Sequence, residues 1–248
     1  MSLVVAGERR ASRTGRRAVL KQAVAHLRRV DPVMAEVISV VGVEPPGSAT
    51  EGFQGLASAI VYQQISGSAA DAIVRRLKER ARTEEFPGAE WFVDRSEADL
   101  RACGLSPQKM RYLRDLSERT VDGRLDLRRL RRWEDARIIE ALTQVLGIGR
   151  WTAEMYLIFA LGRPDVLPVD DLGVRKGFRH LYGFANLPAR STMLRLGERW
   201  RPYRSYATHY LWASLDRPAW EGLRRATKSF RGRSSHRSPK LVQIPRRP

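Results

Sequence analysis

Leu146-Gly147-Ile148-Gly149-Arg150-Trp151-Thr152-Ala153 separates two helical patterns. Ahead of it, residues 134–145 set Ile138, Ile139, Leu142 and Val145 on one face; behind it, Arg150 to Leu161 reads as an apolar helix. Two glycines around one aliphatic residue permit a tight turn with positive φ. Gly149 has no Cβ and leaves backbone N–H groups bare at the start of the second helix, where the helix dipole favours an anion such as phosphate. A plain helix–helix connection also uses glycine, because glycine commonly ends helices.

About twenty residues further on, Val166-Leu167-Pro168-Val169-Asp170-Asp171 leads into a helix over 172–182. Asp170 or Asp171 is its N-cap. Capping explains one carboxylate. A second beside it costs charge repulsion unless it has a task or a cationic neighbour, and Arg175 and Lys176 lie one turn on.

The chain reads as all-α, with no convincing strand alternation before the hairpin. A helix from Arg17 ends before Asp31-Pro32, a second covers 32–41, and Gly42 with Pro45-Pro46-Gly47 stops it. Residues 51–64 form a helix on Phe53, Leu56, Ala57, Ile60 and Val61, running into Tyr62-Gln63-Gln64-Ile65-Ser66-Gly67. Ser66 or Ser68 caps the next helix, about 68–82. Two glutamines at that junction suit a solvated corner, or a wedge that fills the gap left by a base leaving a duplex. Short helices follow at 89–93 and 96–103, and Ser106-Pro107 starts another. Over 200–215, Trp200, Tyr203, Tyr206 and Tyr210 follow helical spacing and read as mostly core, with Pro202 in the helix's first turn. Trp212 falls off that stripe and suits a pocket wall.

The formal charge of +18 sits at the ends. Residues 1–30 carry +7 and residues 224–248 carry +9, which leaves +2 for the body. Residues 1–16 and the 224–248 tail read as basic disordered segments, suited to salt-sensitive binding of polyanions. The single cysteine, Cys103, excludes an intramolecular disulfide and any four-cysteine metal or iron–sulfur site. No apolar run reaches membrane-spanning length, and no secretory signal precedes the body.

Four segments in this order resemble the helix-hairpin-helix DNA glycosylases: Ile60-Val61-Tyr62-Gln63-Gln64-Ile65-Ser66, Gly104-Leu105-Ser106-Pro107-Gln108-Lys109, Gly147-Ile148-Gly149-Arg150-Trp151-Thr152-Ala153, and Trp200-Arg201-Pro202-Tyr203-Arg204-Ser205-Tyr206-Ala207. The likeness covers about residues 20–220 and points to the 3-methyladenine DNA glycosylase II (alkylbase) branch. About fifty residues precede the wedge helix, too few for the prototype's β-rich N-terminal domain, so the form is the compact one.

The resemblance implies two helical lobes flanking a DNA-binding cleft. One spans about 53–160 with hairpin 146–150; the other combines 17–52 with 161–223. It implies that Leu146, Gly147, Ile148, Gly149 and Arg150 bind a DNA phosphate through their backbone, with a monovalent cation bridging near Gly147 and Gly149 and no side-chain metal site or other cofactor. Asp170 falls at the catalytic aspartate, with Asp171 its neighbour. Gln64, with Gln63 and Ile65, falls at the wedge. Trp151, Trp212 and Tyr62 line the base pocket. Trp151 stands where lyase members have a nucleophilic lysine, so the implied enzyme is monofunctional: it flips an alkylated purine from double-stranded DNA and hydrolyses its N-glycosidic bond, leaving an abasic site. A monomer in the bacterial cytoplasm, near the nucleoid and away from membranes, is the matching expectation. A non-catalytic helix-hairpin-helix binding module is the alternative; it explains the hairpin and the charge but not the aspartate loop.

Overall fold

In the computed structural model, which describes residues 2–215, the chain opens with a long helix, α1 (Ser2–Val30), and turns at Asp31 into α2 (Pro32–Val41). Asp31 Oδ1 accepts the Val33 and Met34 N–H groups, and Pro32 fills a first position that needs no N–H. α1 begins at Ser2, within the stretch 1–16 expected as a basic disordered segment. That stretch holds alanines and arginines and no proline, so a helix nucleated beyond it propagates back at one bond per residue. The basic tail expected over 224–248 lies outside the described residues.

The chain then builds α3 (Gly52–Tyr62), α4 (Gly67–Ala81), α5 (Ala89–Val93), α6 (Glu97–Ala102), α7 (Pro107–Val121), α8 (Asp135–Thr143) and α9 (Arg150–Met155). Ser66, Ser96 and Ser106 cap α4, α6 and α7 with their hydroxyls. The apolar faces meet in one core that includes Leu56, Ile60, Phe92, Leu113, Leu142 and Leu157. The helix expected to run unbroken from Arg150 to Leu161 changes pitch into a π turn, Tyr156–Ala160. There the Tyr156 hydroxyl accepts the Gly52 N–H at 2.8 Å, and the Phe159 carbonyl accepts the Ala49 N–H at 2.9 Å. The widened turn thus ties the helix to the strap that enters α3.

A second core joins α1 and α2 to α10 (Leu172–Tyr182), α11 (Arg190–Gly197) and α12 (Arg204–Ala213), around Leu27, Met34, Ile38, Phe178, Trp200 and Tyr210. The two cores divide the chain between Val166 and Leu167, and Trp212 packs against both. Among the described residues there is no strand, and no helix is long and apolar enough to cross a membrane. Trp200 and Tyr210 are fully buried, whereas Tyr203 and Tyr206 are only half-buried. Pro202 lies ahead of its helix, not in the first turn. α12 begins at Arg204, whose backbone N–H and guanidinium are held by the Asp165 carboxylate at 3.3 and 2.7 Å.

Asp31, 1% exposed, is the polar centre of the second core. Its Oδ2 accepts the Tyr182 hydroxyl at 2.7 Å and the Trp200 Nε1–H at 2.9 Å. Burial and the Asp31 charge hold the Tyr182 phenol far above its usual range. Asp31→Ala removes a cap and the acceptor of the Tyr182 hydroxyl and the buried Trp200 indole. It should lower the unfolding free energy by about 3 kcal/mol, read as a shifted urea midpoint at constant slope. A loss under about 1 kcal/mol would show that the second core does not depend on this carboxylate.

Candidate active site

At the hairpin, Gly147 has φ +80°, and the Tyr112 ring fills the space a Cβ would need, so only glycine fits. Gly149 has φ −87°, an extended conformation; one of the two glycines, not both, uses positive φ. No atom lies within 4 Å of a Cβ built on Gly149, and no side chain caps α9. The first turn of α9 is therefore open to an anion. Ile148 is buried and anchors the turn, while Leu146 is 53% exposed. Arg150 lies along α9, its Nε donating to Glu154 Oε1 at 2.9 Å.

The three residues expected as a wedge separate into two roles. The Gln63 side-chain amide donates to the Gly147 carbonyl at 2.9 Å and so faces the hairpin. Gln63, expected in the wedge, is thus tied to the hairpin side of the loop. Gln64 and Ile65 are exposed, and Gln64 holds the left-handed conformation, φ 57°, uncommon for a residue with a Cβ. The Gln63 bond supports that strained tip from behind.

Beside the hairpin lies a cleft of about 660 Å³, with Tyr62, Trp151, Met155 and Phe159 among its walls. The Tyr62 hydroxyl donates to Asp71, which raises the phenol's pKa. Met155 and Phe159 went unnoticed in the sequence. Their signal is the four- and eight-residue spacing from Trp151, which keeps all three on one side of the helix. Phe159 stacks on Trp212, centroids 5.7 Å apart.

The two aspartates face different groups. Val166 to Val169 are buried, and the chain surfaces at Asp170. The Asp170 carboxylate is exposed and paired with Arg190, at the start of α11; Arg175 and Lys176, the cations expected beside the aspartates, play no part in this pair. Asp171 is the N-cap of α10 and turns inward. Its Oδ1 accepts the Val174 N–H at 2.7 Å and the Trp212 Nε1–H at 2.8 Å. Its Oδ2 accepts the Trp151 Nε1–H at 2.7 Å. Trp151, which lines the cleft, and Trp212, which does not line it though expected in the base pocket, thus both donate to Asp171, whereas Asp170, expected at the catalytic position, pairs with Arg190. Behind them Glu154 is buried, its Oε2 without a hydrogen-bond partner; burial raises its pKa against the opposing pull of Arg150.

Residues 57–202 match the model of the HhH-GPD superfamily of base excision DNA repair proteins. The chain is 36% identical over 197 residues to DNA-3-methyladenine glycosylase 1 of Schizosaccharomyces pombe, covering 78% of this chain and 86% of that protein. The solved structure of the S. pombe 3-methyladenine DNA glycosylase in complex with abasic DNA superposes with a TM-score of 0.70 at 35% identity, covering 79% of this chain and 98% of that one. A DNA-3-methyladenine glycosidase from Bacillus halodurans gives a TM-score of 0.73 at 34% identity, covering 81% and 94%.

Gly173 guards the two-indole clasp. A Cβ there would stand 2.8 Å from Trp212 Cδ1 and 3.0 Å from Asp171 Oδ1. Gly173→Ala should push the Trp212 indole off the carboxylate, at a stability cost of about 1–3 kcal/mol. The resonance of the Trp212 indole N–H, followed by NMR, should lose its hydrogen-bonded shift. An unmoved resonance would mean that the ring yields without releasing Asp171.

Proposed function

The chain belongs to the HhH-GPD superfamily of base excision DNA repair proteins, and on that premise we propose that it excises alkylated purines, 3-methyladenine and 7-methylguanine among them, with Asp171 as the catalytic carboxylate. It is a DNA glycosylase, a hydrolase of the N-glycosidic bond, and its partner is DNA. The observation that carries the assignment is the Asp171 carboxylate, held by two indole N–H groups beside an open aromatic cleft. A non-catalytic binding module would leave that clasp without a task.

The chemistry follows from charge. Alkylation at N3 or N7 makes a purine cationic and a good leaving group. Indole faces attract such a base by stacking and cation–π interaction, about 1–2 kcal/mol each once water is excluded. As the C1′–N bond breaks, positive charge moves onto the sugar, and a fixed carboxylate beside C1′ stabilises it. The groups on Asp171 are two indoles and a backbone N–H, none of them a nucleophilic amine. This supports hydrolysis to an abasic site with the strand left intact. Gln64 and Ile65 take the wedge role, and the α9 turn takes a phosphate. A monovalent cation at the hairpin belongs to the same reading. The Gly147 carbonyl is engaged by Gln63, while those of Leu146 and Ile148 accept no hydrogen bond from another described residue and fit such an ion. It would bridge the turn to the phosphate. A monomer that acts in the bacterial cytoplasm, near the nucleoid and without membrane attachment, completes the proposal.

On duplex DNA carrying 7-methylguanine, Asp171→Asn should reduce base release at least about 100-fold with affinity for abasic DNA retained. Asp170→Asn, which frees Arg190 but leaves the clasp whole, should stay within about tenfold of wild type. The opposite pattern would return the catalytic role to Asp170.

A further inference from the structure

Lys109 is the third residue of α7, at the positive end of a helix dipole, where a cation is disfavoured. It is half-buried and lines the cleft. Its ammonium donates to the Val61 carbonyl in the last turn of α3, just ahead of Gln63 and Gln64. Among the described residues no carboxylate forms an ion pair with it. One turn on, Tyr112 packs under Gly147 of the hairpin, and Gln63 spans from the wedge loop to the same glycine. The ammonium thus sits between the wedge and the phosphate-binding turn, carrying a charge that no carboxylate among the described residues pairs with.

From this placement we propose that Lys109 binds a backbone phosphate of the damaged strand, next to the phosphate on the hairpin, and so positions the nucleotide that enters the cleft. The proposal rests on the glycosylase reading. The cleft's substrate decides between the two partners DNA offers. An alkylated, cationic purine is repelled by an ammonium, whereas a phosphate is attracted whatever the sequence. Burial lowers the pKa of Lys109, as it must for a desolvated cation without a counter-ion. A phosphate would restore the missing partner. If the residue only latched α7 to α3, a neutral donor would serve as well.

The test uses the full chain and a duplex with a tetrahydrofuran abasic analogue, with affinity measured from 50 to 200 mM KCl. Lys109→Gln should weaken binding about tenfold at 100 mM and flatten the slope of log affinity against log salt by about 0.9, the loss of one phosphate contact. Lys109→Arg should restore the slope. An unchanged slope in Lys109→Gln, even with a lower Tm, reduces the residue to a latch and overturns the proposal. Should Lys109→Gln not fold, amine acylation of the wild-type chain decides: DNA should shield Lys109, and equal labelling with and without DNA overturns it. Wild-type release of 7-methylguanine, measured alongside, tests the glycosylase reading separately from either result.

Discussion

One carboxylate holds this molecule's two cores in functional register. Asp171 begins α10 by capping it, takes one indole N–H from α9 and takes another from α12. α9 belongs to the first core and α10 and α12 to the second. Trp212 is the joint, since it packs against both cores and stacks on Phe159. A cap bond contributes about 1 kcal/mol wherever it occurs. Here the same carboxylate also holds Trp151 in the wall of the cleft and Trp212 beside it, so local helix formation and site assembly cannot be separated. Gly173 is the steric condition for this, because its bare Cα leaves room for the Trp212 ring.

The π turn after α9 serves the same geometry from the other side. An α-helix continued through Tyr156–Ala160 would carry its side chains round at a steady 100° per residue. The wider turn instead lets Tyr156 and Phe159 meet the strap ahead of α3 while Phe159 stays stacked on Trp212. Such turns recur where a helix must aim side chains at a site.

Helix positions were legible because their signals are local. Ser66, Ser106 and Pro107 mark starts, and four-residue spacing marks the buried faces. What the local pattern does not carry is non-local. Both aspartates stand where a cap can stand, and spacing from the loop's valine could not decide between them. The deciding donors, Trp151 and Trp212, lie 20 and 41 residues away. The bond of Gln63 to the hairpin is hidden for the same reason, since its partner is 84 residues off. Asp31 read only as a stop before Pro32. Its bonds to Tyr182 and Trp200, which make it the centre of the second core, exist only after folding.

Adjacent aspartates repel, and the way this chain relieves them explains the reaction it can support. Asp170 is given a cation, Arg190, and its charge is largely cancelled at the surface. Asp171 is given neutral dipoles: two indoles and a peptide N–H. Dipoles orient a carboxylate without cancelling its net charge. Had Arg190 reached Asp171 instead, the carboxylate would already be neutralised before any positive charge formed on a sugar, and its attraction for that charge would fall. Glu154 is kept apart in the same way, its charge disfavoured by burial and countered by Arg150. Of these three carboxylates, only Asp171 is held by neutral dipoles and by no cation among the described residues, which fits the role proposed for it beside an oxocarbenium-like sugar.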